Sequence, residues 1–262
     1  MLYKSTETKT SQNELQTIFR QLKGESCLLG GWAVYHIVNR NFKKATGREY
    51  VGSRDIDLGF HINKDWNEEQ LKNSEFSTAI KNIEEMRFRS VSFRLVKDFN
   101  IDTGEELAPE ESAKLPLYQI FQLYIDPIVD YIHPKIKSLL GFVPIDEPLL
   151  SLVFQEKMCN TQLIFGKNVI LPESHVLLAM KINSAPKRDK ENKLIKDIGD
   201  IYALLWHSDI KLSQLREQLF SIVPSEQVRK TIQNFSKDDI AKVATILGIS
   251  TKEISRVLKE LT

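Results

Sequence analysis

The sequence has little of what marks secreted, membrane-spanning or disulfide-stabilised proteins. Only two cysteines occur among 262 residues, which is too few for a disulfide framework, and we expect Cys27 and Cys159 to be reduced core residues. Residues 1–10 are polar, which predicts no secretory signal. No apolar run approaches the roughly 18 residues that span a bilayer. We therefore expect a cytoplasmic protein with no membrane partner.

Strong net charge and several familiar motifs are absent too. The net charge is +1, so no overall field attracts nucleic acid, although a local basic patch stays open. The sequence has no glycine-rich dinucleotide motif, no P-loop and no Ser/His/Asp arrangement. Its five histidines are scattered without the spacing of metal ligands. The length and composition are those of an ordinary globular protein with one large or two modest domains.

One pattern stands out against this background. A short apolar strand over 26–29 leads into Gly30 and Gly31 and directly into a helix, and backbone N–H groups at such a helix start can cradle phosphate. Asp55 and Asp57 follow on the next predicted strand. Because side chains alternate along a strand, the two acids share a face, with backbones about 6.6–7 Å apart. Carboxylates beside a phosphate cradle suit a divalent ion that bridges phosphate oxygens.

This order of elements resembles the nucleotidyltransferase superfamily, whose members share a glycine pair followed by an Asp-x-Asp strand. The resemblance implies an α/β fold, with a mixed sheet and flanking helices followed by an all-helical C-terminal half. It also implies Mg²⁺ or Mn²⁺ at Asp55 and Asp57, and an NTP such as ATP as co-substrate. Ser53 and Arg54 would assist the glycines in binding the nucleotide. The alternative is a tight turn and a strand end with two solvated acids.

Members of this superfamily usually carry a third carboxylate on a strand beside the Asp-x-Asp strand. Asp126, near the end of an apolar strand within 118–131, is the better match, and Asp130 is the fallback. The third carboxylate would complete the metal site or deprotonate the acceptor hydroxyl. Pro127 predicts a sheet edge or a strand end at this point. The alternative is that Asp126 starts a turn with Pro127.

The helical half has a second pattern, with Lys181 on one helix, a charged loop over 186–191, and Asp197 and Asp200 at an expected helix start. It resembles the abortive-infection (AbiE-type) toxin nucleotidyltransferases. The resemblance implies that Lys181 contacts the triphosphate and that Asp197 or Asp200 orients it or assists the metal site. It implies a tRNA 3′ end or a protein hydroxyl as acceptor, and an antitoxin partner. The alternative is a helical hairpin with its acids at a helix N-terminus and Lys181 extended along apolar surface.

The change from alternating to helical spacing places a domain boundary near residue 170. We expect a nucleotidyltransferase core over 1–170 and a helical domain over 171–262 that closes the active site. Residues 238–261 combine a helix, a glycine turn at Gly248, a Ser/Thr cap and a second, basic helix. That order is typical of a helix-turn-helix, but any short helical hairpin shares it, and we favour a structural helical cap.

Two functional alternatives to a toxin-like enzyme stay open. One is a small-molecule nucleotidyltransferase of the antibiotic-modifying kind, which an acidic, compact acceptor pocket would favour. The other is a non-catalytic DNA-binding regulator that uses 238–261, which salt-dependent duplex binding would favour.

The rest of the chain is expected to hold elements that surround the site. A capping box at Ser11 predicts a helix start there. Apolar spacing predicts one helix over 67–86, a long strand over 88–99 and a hairpin region over 149–170.

Overall fold

A computed structural model describes residues 2–262 and contains a mixed sheet with flanking helices, followed by six consecutive helices. The predicted α/β class with a helical C-terminal half is confirmed. The strands are β1 (Cys27–Leu28), β2 (Ile56–Phe60), β3 (Arg89–Val91), β4 (Arg94–Asn100), β5 (Ile120–Val129), β6 (Ile145–Asp146), β7 (Cys159–Ile164) and β8 (Lys167–Pro172). The helices are α1 (Ser5–Gln21), α2 (Gly30–Thr46), α3 (Glu68–Lys72), α4 (Glu75–Glu85), α5 (Pro109–Ser112), α6 (Ile136–Leu140), α7 (Leu150–Phe154), α8 (Ser174–Ser184), α9 (Glu191–His207), α10 (Leu212–Ile222), α11 (Ser225–Gln233), α12 (Lys237–Leu247) and α13 (Thr251–Lys259).

The sheet places β2, which contains Asp57, at its centre. Asp55 lies in a bend one residue before this strand, so the prediction that both acids lie on the strand is wrong for Asp55. The strand order of the sheet is β3-β4-β5-β2-β1-β8-β7, and β6 pairs with β5. Strand β2 is antiparallel to β1 and parallel to β5, in a register that sets Asp57 opposite Asp126. Residues paired across neighbouring strands point to the same face of a sheet. The register therefore brings two predicted site residues together from positions far apart in the sequence.

Pro127 lies inside β5 rather than at its end, opposite Leu58 of β2. The alternative that Asp126 starts a turn with this proline is wrong. The other side of β5 is locally unpaired at this point, because pairing with β4 ends at Ile125 and pairing with β6 begins at Ile128. A residue without an N–H group is tolerated where no neighbour needs one. Pro127 therefore lies at a gap in the pairing along one side of β5, between β4 and β6, and not at an edge of the whole sheet.

Contacts within the chain define two compact units. The sheet unit comprises residues 3–32 and 52–171, and the helical unit comprises residue 2 together with 33–51 and 172–262. Within the helical unit, α9 packs against α8, α12 and α13. The division into functional domains at residue 170 stays a prediction.

Several local predictions about the sheet unit are wrong. Helix α1 begins at Ser5, so Ser11 lies inside the helix and does not cap it. The Ser11 hydroxyl is buried and accepts a hydrogen bond of 2.9 Å from the indole N–H of Trp32. The single helix expected over 67–86 is broken at Ser74, whose hydroxyl accepts from the N–H of Ser77 and so caps α4. A side chain that satisfies a free helix N–H favours a new helix start.

Two other segments differ from their predicted form. The long strand over 88–99 is a hairpin of β3 and β4, and its turn includes Ser92 at a φ of 58°. The predicted hairpin region over 149–170 begins with the short helix α7, and only its second part forms the hairpin of β7 and β8. In both segments each apolar stretch is too short for its spacing to distinguish a strand from a short helix, or one long strand from two strands joined by a turn.

Both cysteines are free thiols. Cys27 is a core residue, and burial raises the pKa of its thiol. Cys159 is only partly buried, so its prediction as a core residue is wrong. Among residues 2–262, no helix has the length and apolar character needed to cross a membrane.

A half-buried histidine makes the stability of the fold depend on pH. Burial lowers the pKa of His36 from 6.5 to about 4. Between these values the unfolded chain binds a proton that the folded chain does not, so stability falls as the pH falls from 6.5 to 4. For this histidine the full loss is about 3 kcal/mol. His36→Phe, which keeps an aromatic ring, should reduce this loss, as urea denaturation at pH 7.5, 5.5 and 4.5 would measure. An unchanged pH dependence of the free energy of unfolding in the variant would contradict this role of His36.

Candidate functional site

The glycine pair and the Asp-x-Asp pair meet at the centre of the sheet unit. Strand β1 ends at Leu28, the Leu29 N–H donates to the Asp57 carbonyl over 2.9 Å, and α2 begins at Gly30. Gly30 has a φ of +59°, and a Cβ built on it would overlap the Asp57 carboxylate. Only glycine fits here, because the carboxylate packs directly against the first residue of the helix. The predicted proximity of the two motifs is therefore a feature of the structure.

The start of α2 also has the electrostatic character that an anion site needs. The first N–H groups of a helix lack partners within the helix and point outward, at the positive end of its dipole. The first turn of α2 contains no acidic residue. Asp57 is thus a carboxylate set beside a group of backbone donors, and both Asp55 and Asp57 are partly exposed.

Asp126 lies opposite Asp57 but is bound to a residue that the sequence analysis missed. Arg94, the first residue of β4, donates from Nε to one Asp126 oxygen over 2.8 Å and from Nη2 to the other over 2.5 Å. Burial acts to lower the pKa of Arg94, but hydrogen bonding to Asp126 and the charges of Asp126, Asp55 and Asp57 raise it above its usual value. No local pattern marks Arg94, because its partner is fixed only by the register of β4 and β5.

The fallback carboxylate, Asp130, belongs to a different cluster. It follows β5 and accepts hydrogen bonds from the Ile62 N–H over 2.8 Å and from the His61 ring over 2.5 Å. The register places Asp126, not Asp130, opposite Asp57. Asp130 is occupied in joining the ends of two strands.

The fit to a metal ion is partial. Carboxylate oxygens are the donors that Mg²⁺ and Mn²⁺ prefer, and Asp55 and Asp57 can supply them to a single ion. Both oxygens of Asp126 already accept from Arg94. Across residues 2–262, no three His, Cys, Asp or Glu side chains are grouped as a metal site. The set of Asp55, Asp57 and Asp126 as metal ligands stays a prediction, and the geometry favours the first two.

Ser53 and Arg54 lie just before the Asp-x-Asp strand. Ser53 is buried. Arg54 pairs with the buried Glu7 over 3.3 Å, and its guanidinium lies 5.2 Å from the ring centre of Phe121 and 5.9 Å from that of Tyr3. These contacts fix the segment before β2 against α1. They favour a structural task for Arg54 over its predicted part in nucleotide binding, which stays untested.

Lys181, Asp197 and Asp200 form a buried ion cluster in the helical unit. The Lys181 ammonium lies 2.6 Å from Asp197 and 2.8 Å from Asp200, and the Arg188 Nε lies 2.5 Å from Asp197. Lys181 is only 7% exposed. Burial acts to lower its pKa, but the two carboxylates raise it above the usual value, so the ammonium is charged. The alternative in which Lys181 extends along an apolar surface is wrong.

A second lysine and a tyrosine complete this cluster. Lys196 hydrogen-bonds Asp200, and the Tyr50 hydroxyl donates to Asp200 over 2.8 Å. Burial lowers the pKa of Lys196, and the charge of Lys181 adds to that, while Asp200 opposes it. Asp197 and Asp200 lie in the interior of α9, which begins at Glu191, so the expected helix start at these acids is wrong. Buried charges require partners, and here each has one.

The C-terminal helices form a basic groove. Helix α12 ends at Leu247 and is followed by its cap residue Gly248, which has a φ of +64°. The Ser250 hydroxyl accepts from the Glu253 N–H and caps α13. The predicted order of helix, glycine turn, cap and helix is confirmed. The groove between these helices has a volume of about 530 Å³. It is lined by Lys237, Ile240, Thr251, Lys252, Ser255, Arg256 and Lys259.

The groove carries four cations and has no acid in its lining. Within residues 2–262, none of the four cations forms an ion pair closer than 4.0 Å, whereas Lys242 on α12 pairs with Glu191 and Asp238. The Arg256 guanidinium lies 4.4 Å from the ring centre of Trp206, whose side chain is partly exposed. Cations beside an exposed aromatic ring are the usual means of binding a nucleic-acid backbone and a stacked base.

Gly30 offers a direct test of the site geometry, with Gly47 as a matched control. Both have a positive φ, but a Cβ at Gly47 meets nothing within 4 Å. Gly30→Ala should therefore lower the free energy of unfolding by about 2 kcal/mol more than Gly47→Ala, because it adds overlap to backbone strain. Urea denaturation measures the difference, and Asp57→Ala in the Gly30→Ala background should restore part of it. Equal losses in the two single variants would contradict the close approach of Asp57.

Comparisons with known proteins give little further direction. No protein-family model matches the sequence, and no curated protein matches it. Among solved structures, the chain is similar to an antigenic nucleotidyltransferase-like protein from Paracoccidioides brasiliensis, with 15% identity and a TM-score of 0.48 over 96% of this chain and 93% of that one. A likeness at this level assigns neither an activity nor site residues to this chain.

Proposed function

We propose that this chain is a metal-dependent nucleotidyltransferase that moves an NMP from an NTP to an acceptor hydroxyl. One observation carries the proposal, namely the Asp57 carboxylate packed against Gly30 at the start of α2. This contact puts ion-binding oxygens beside phosphate-binding N–H groups. The two functions are needed together when a triphosphate is bound and cleaved.

In this proposal the start of α2 binds the β- and γ-phosphates. The backbone N–H groups of Gly30 and Gly31 need no movement to do so, since they already lack helical partners. Asp55 and Asp57 hold the divalent ion, Mg²⁺ or Mn²⁺. When bound, the ion neutralises charge on the triphosphate and on the leaving pyrophosphate.

The transfer forms a bond between the acceptor oxygen and the α-phosphorus. It breaks the bond from that phosphorus to the oxygen that bridges to the β-phosphorus, and pyrophosphate leaves with the electron pair. The acceptor proton passes to a base. Most of the rate gain in such reactions comes from positioning and from fixed charge, and both are supplied here by rigid strands and a helix start.

The structure favours a supporting role for Lys181 over the predicted contact with the triphosphate. Its ammonium is held by Asp197 and Asp200 and is almost fully buried. Removing one partner of a buried pair leaves an uncompensated charge, which is strongly destabilising. We propose that Lys181, Asp197 and Asp200 hold α8 and α9 together.

We further propose that the acceptor is RNA. The basic groove between α12 and α13 supports this, because its four cations suit a phosphodiester chain. The exposed Trp206 ring, which lies outside the groove lining but beside Arg256, suits an unstacked base. A tRNA 3′ end, a toxin activity and an antitoxin partner stay predictions. A DNA-binding regulator would use the same groove, so the nucleic acid that binds best separates the two functions.

The nucleotide site is tested by calorimetry with ATP, GTP, CTP and UTP in the presence of Mg²⁺. Asp57→Asn keeps the shape of the side chain and should weaken Mg²⁺-dependent binding by at least about tenfold, since it removes an ion ligand. Asp65→Asn, an exposed acid outside the site, should have no effect. Failure of the folded wild-type chain to bind any NTP would overturn the proposed function.

The groove is tested by charge reversal. Lys252→Glu with Arg256→Glu should weaken binding of single-stranded RNA at least about tenfold and lower the slope of log affinity against log salt, because fewer counterions are released. Arg229→Glu with Lys230→Glu, on exposed α11 positions outside the groove, is the matched control. Fluorescence anisotropy at two salt concentrations measures both. Stronger binding of duplex DNA than of RNA would favour the regulator, and equal effects of both variants would remove the groove from the proposal.

A further inference from the structure

Arg94 is held in place from several directions. It forms two hydrogen bonds with Asp126, one from each of two guanidinium nitrogens. Its guanidinium also lies 4.3 Å from the ring centre of Tyr124 and 5.1 Å from that of Phe93. A planar guanidinium with paired hydrogen bonds and an aromatic neighbour has a strongly fixed orientation. Arg94 is therefore a permanent part of the site and not a mobile surface charge.

All three predicted metal ligands also lie close enough to Arg94 to affect its pKa. The negative charges of Asp126, Asp55 and Asp57 each raise the pKa of the Arg94 guanidinium. A second divalent ion would need Asp126 as a ligand, and both oxygens of that carboxylate are taken by the guanidinium.

We propose that Arg94 takes the place of a second metal ion, so that the site binds one divalent ion at Asp55 and Asp57 and uses Asp126 to position the guanidinium. This inference rests on the proposed function. It assigns Asp126 a positioning role in place of its predicted roles as metal ligand and base. It also assigns Arg94 the fixed positive charge that faces the triphosphate.

A second arginine–aspartate pair in the same sheet shows what a purely structural pair looks like. Arg89 of β3 binds Asp98 of β4. Its side chain is 49% exposed, against 18% for Arg94. Because this pair also joins a strand arginine to a buried aspartate, Arg89 is the matched control for substitutions of Arg94.

The test counts bound ions directly and needs no turnover. Mn²⁺ is titrated by electron paramagnetic resonance in the presence of a saturating NTP whose α–β bridging oxygen is replaced by CH₂. The wild-type chain and Arg89→Met should each bind one Mn²⁺ for each bound nucleotide. Arg94→Met should bind two, because it frees Asp126. Arg94→Lys, which keeps the charge, should bind one.

Further outcomes separate this inference from the proposed function. The double variant Arg94→Met with Asp126→Asn removes both charges of the pair, so neither is left buried without its partner. It should again bind one Mn²⁺, which covers the case in which Arg94→Met alone does not fold. Two ions in the wild-type chain, or one ion in a folded Arg94→Met, would overturn the inference while leaving the proposed function intact. Absence of any nucleotide-dependent Mn²⁺ in the wild-type chain would overturn the proposed function, and the inference with it.

Discussion

The candidate site depends on the contact between the Asp57 carboxylate and the backbone of Gly30. The contact requires glycine for two reasons at once, the positive φ and the lack of space for a Cβ. It also requires β1 and β2 to pair so that Leu29 and Asp57 share a hydrogen bond. The pairing of β1 with β2, the start of α2 and the position of the Asp57 carboxylate therefore depend on one another. We expect a change in any one of them to alter the other two.

The two units use charge in different ways. In the helical unit, Lys181, Lys196 and Arg188 pair with Asp197 and Asp200 in a largely buried cluster. In the sheet unit, Arg94 pairs with Asp126, and the nearby Asp55 and Asp57 are partly exposed. A buried cluster of paired charges holds helices together, whereas partly exposed carboxylates can attract a cation. This contrast is the physical reason for placing the chemistry in the sheet unit.

What the sequence predicts well here is local. The strand–glycine–helix turn, the strand that carries Asp57 and the capped terminal helices each depend on neighbouring residues, and each is present in the structure. What it misses depends on distant partners. Ser11 has the pattern of a helix cap but binds Trp32, and Arg94 is one of many strand residues until the register of β4 and β5 sets it beside Asp126. A period of two or of 3.6 residues shows which face a residue occupies, but not which residue it will meet there.

The two units alternate along the chain, and this order has a consequence for folding during synthesis. The helical unit takes residues 33–51 from early in the chain and residues 172–262 from its end. The sheet unit is therefore fully synthesised while most of α2 still lacks the partners of its own unit. Phe42, which is buried in the finished protein, packs against the His207 ring at the end of α9, and this contact cannot form until α9 has been synthesised. Contacts of such large sequence separation form late and slowly, so this face of α2 stays open to aggregation for longer than a face that is covered by residues nearby in the sequence.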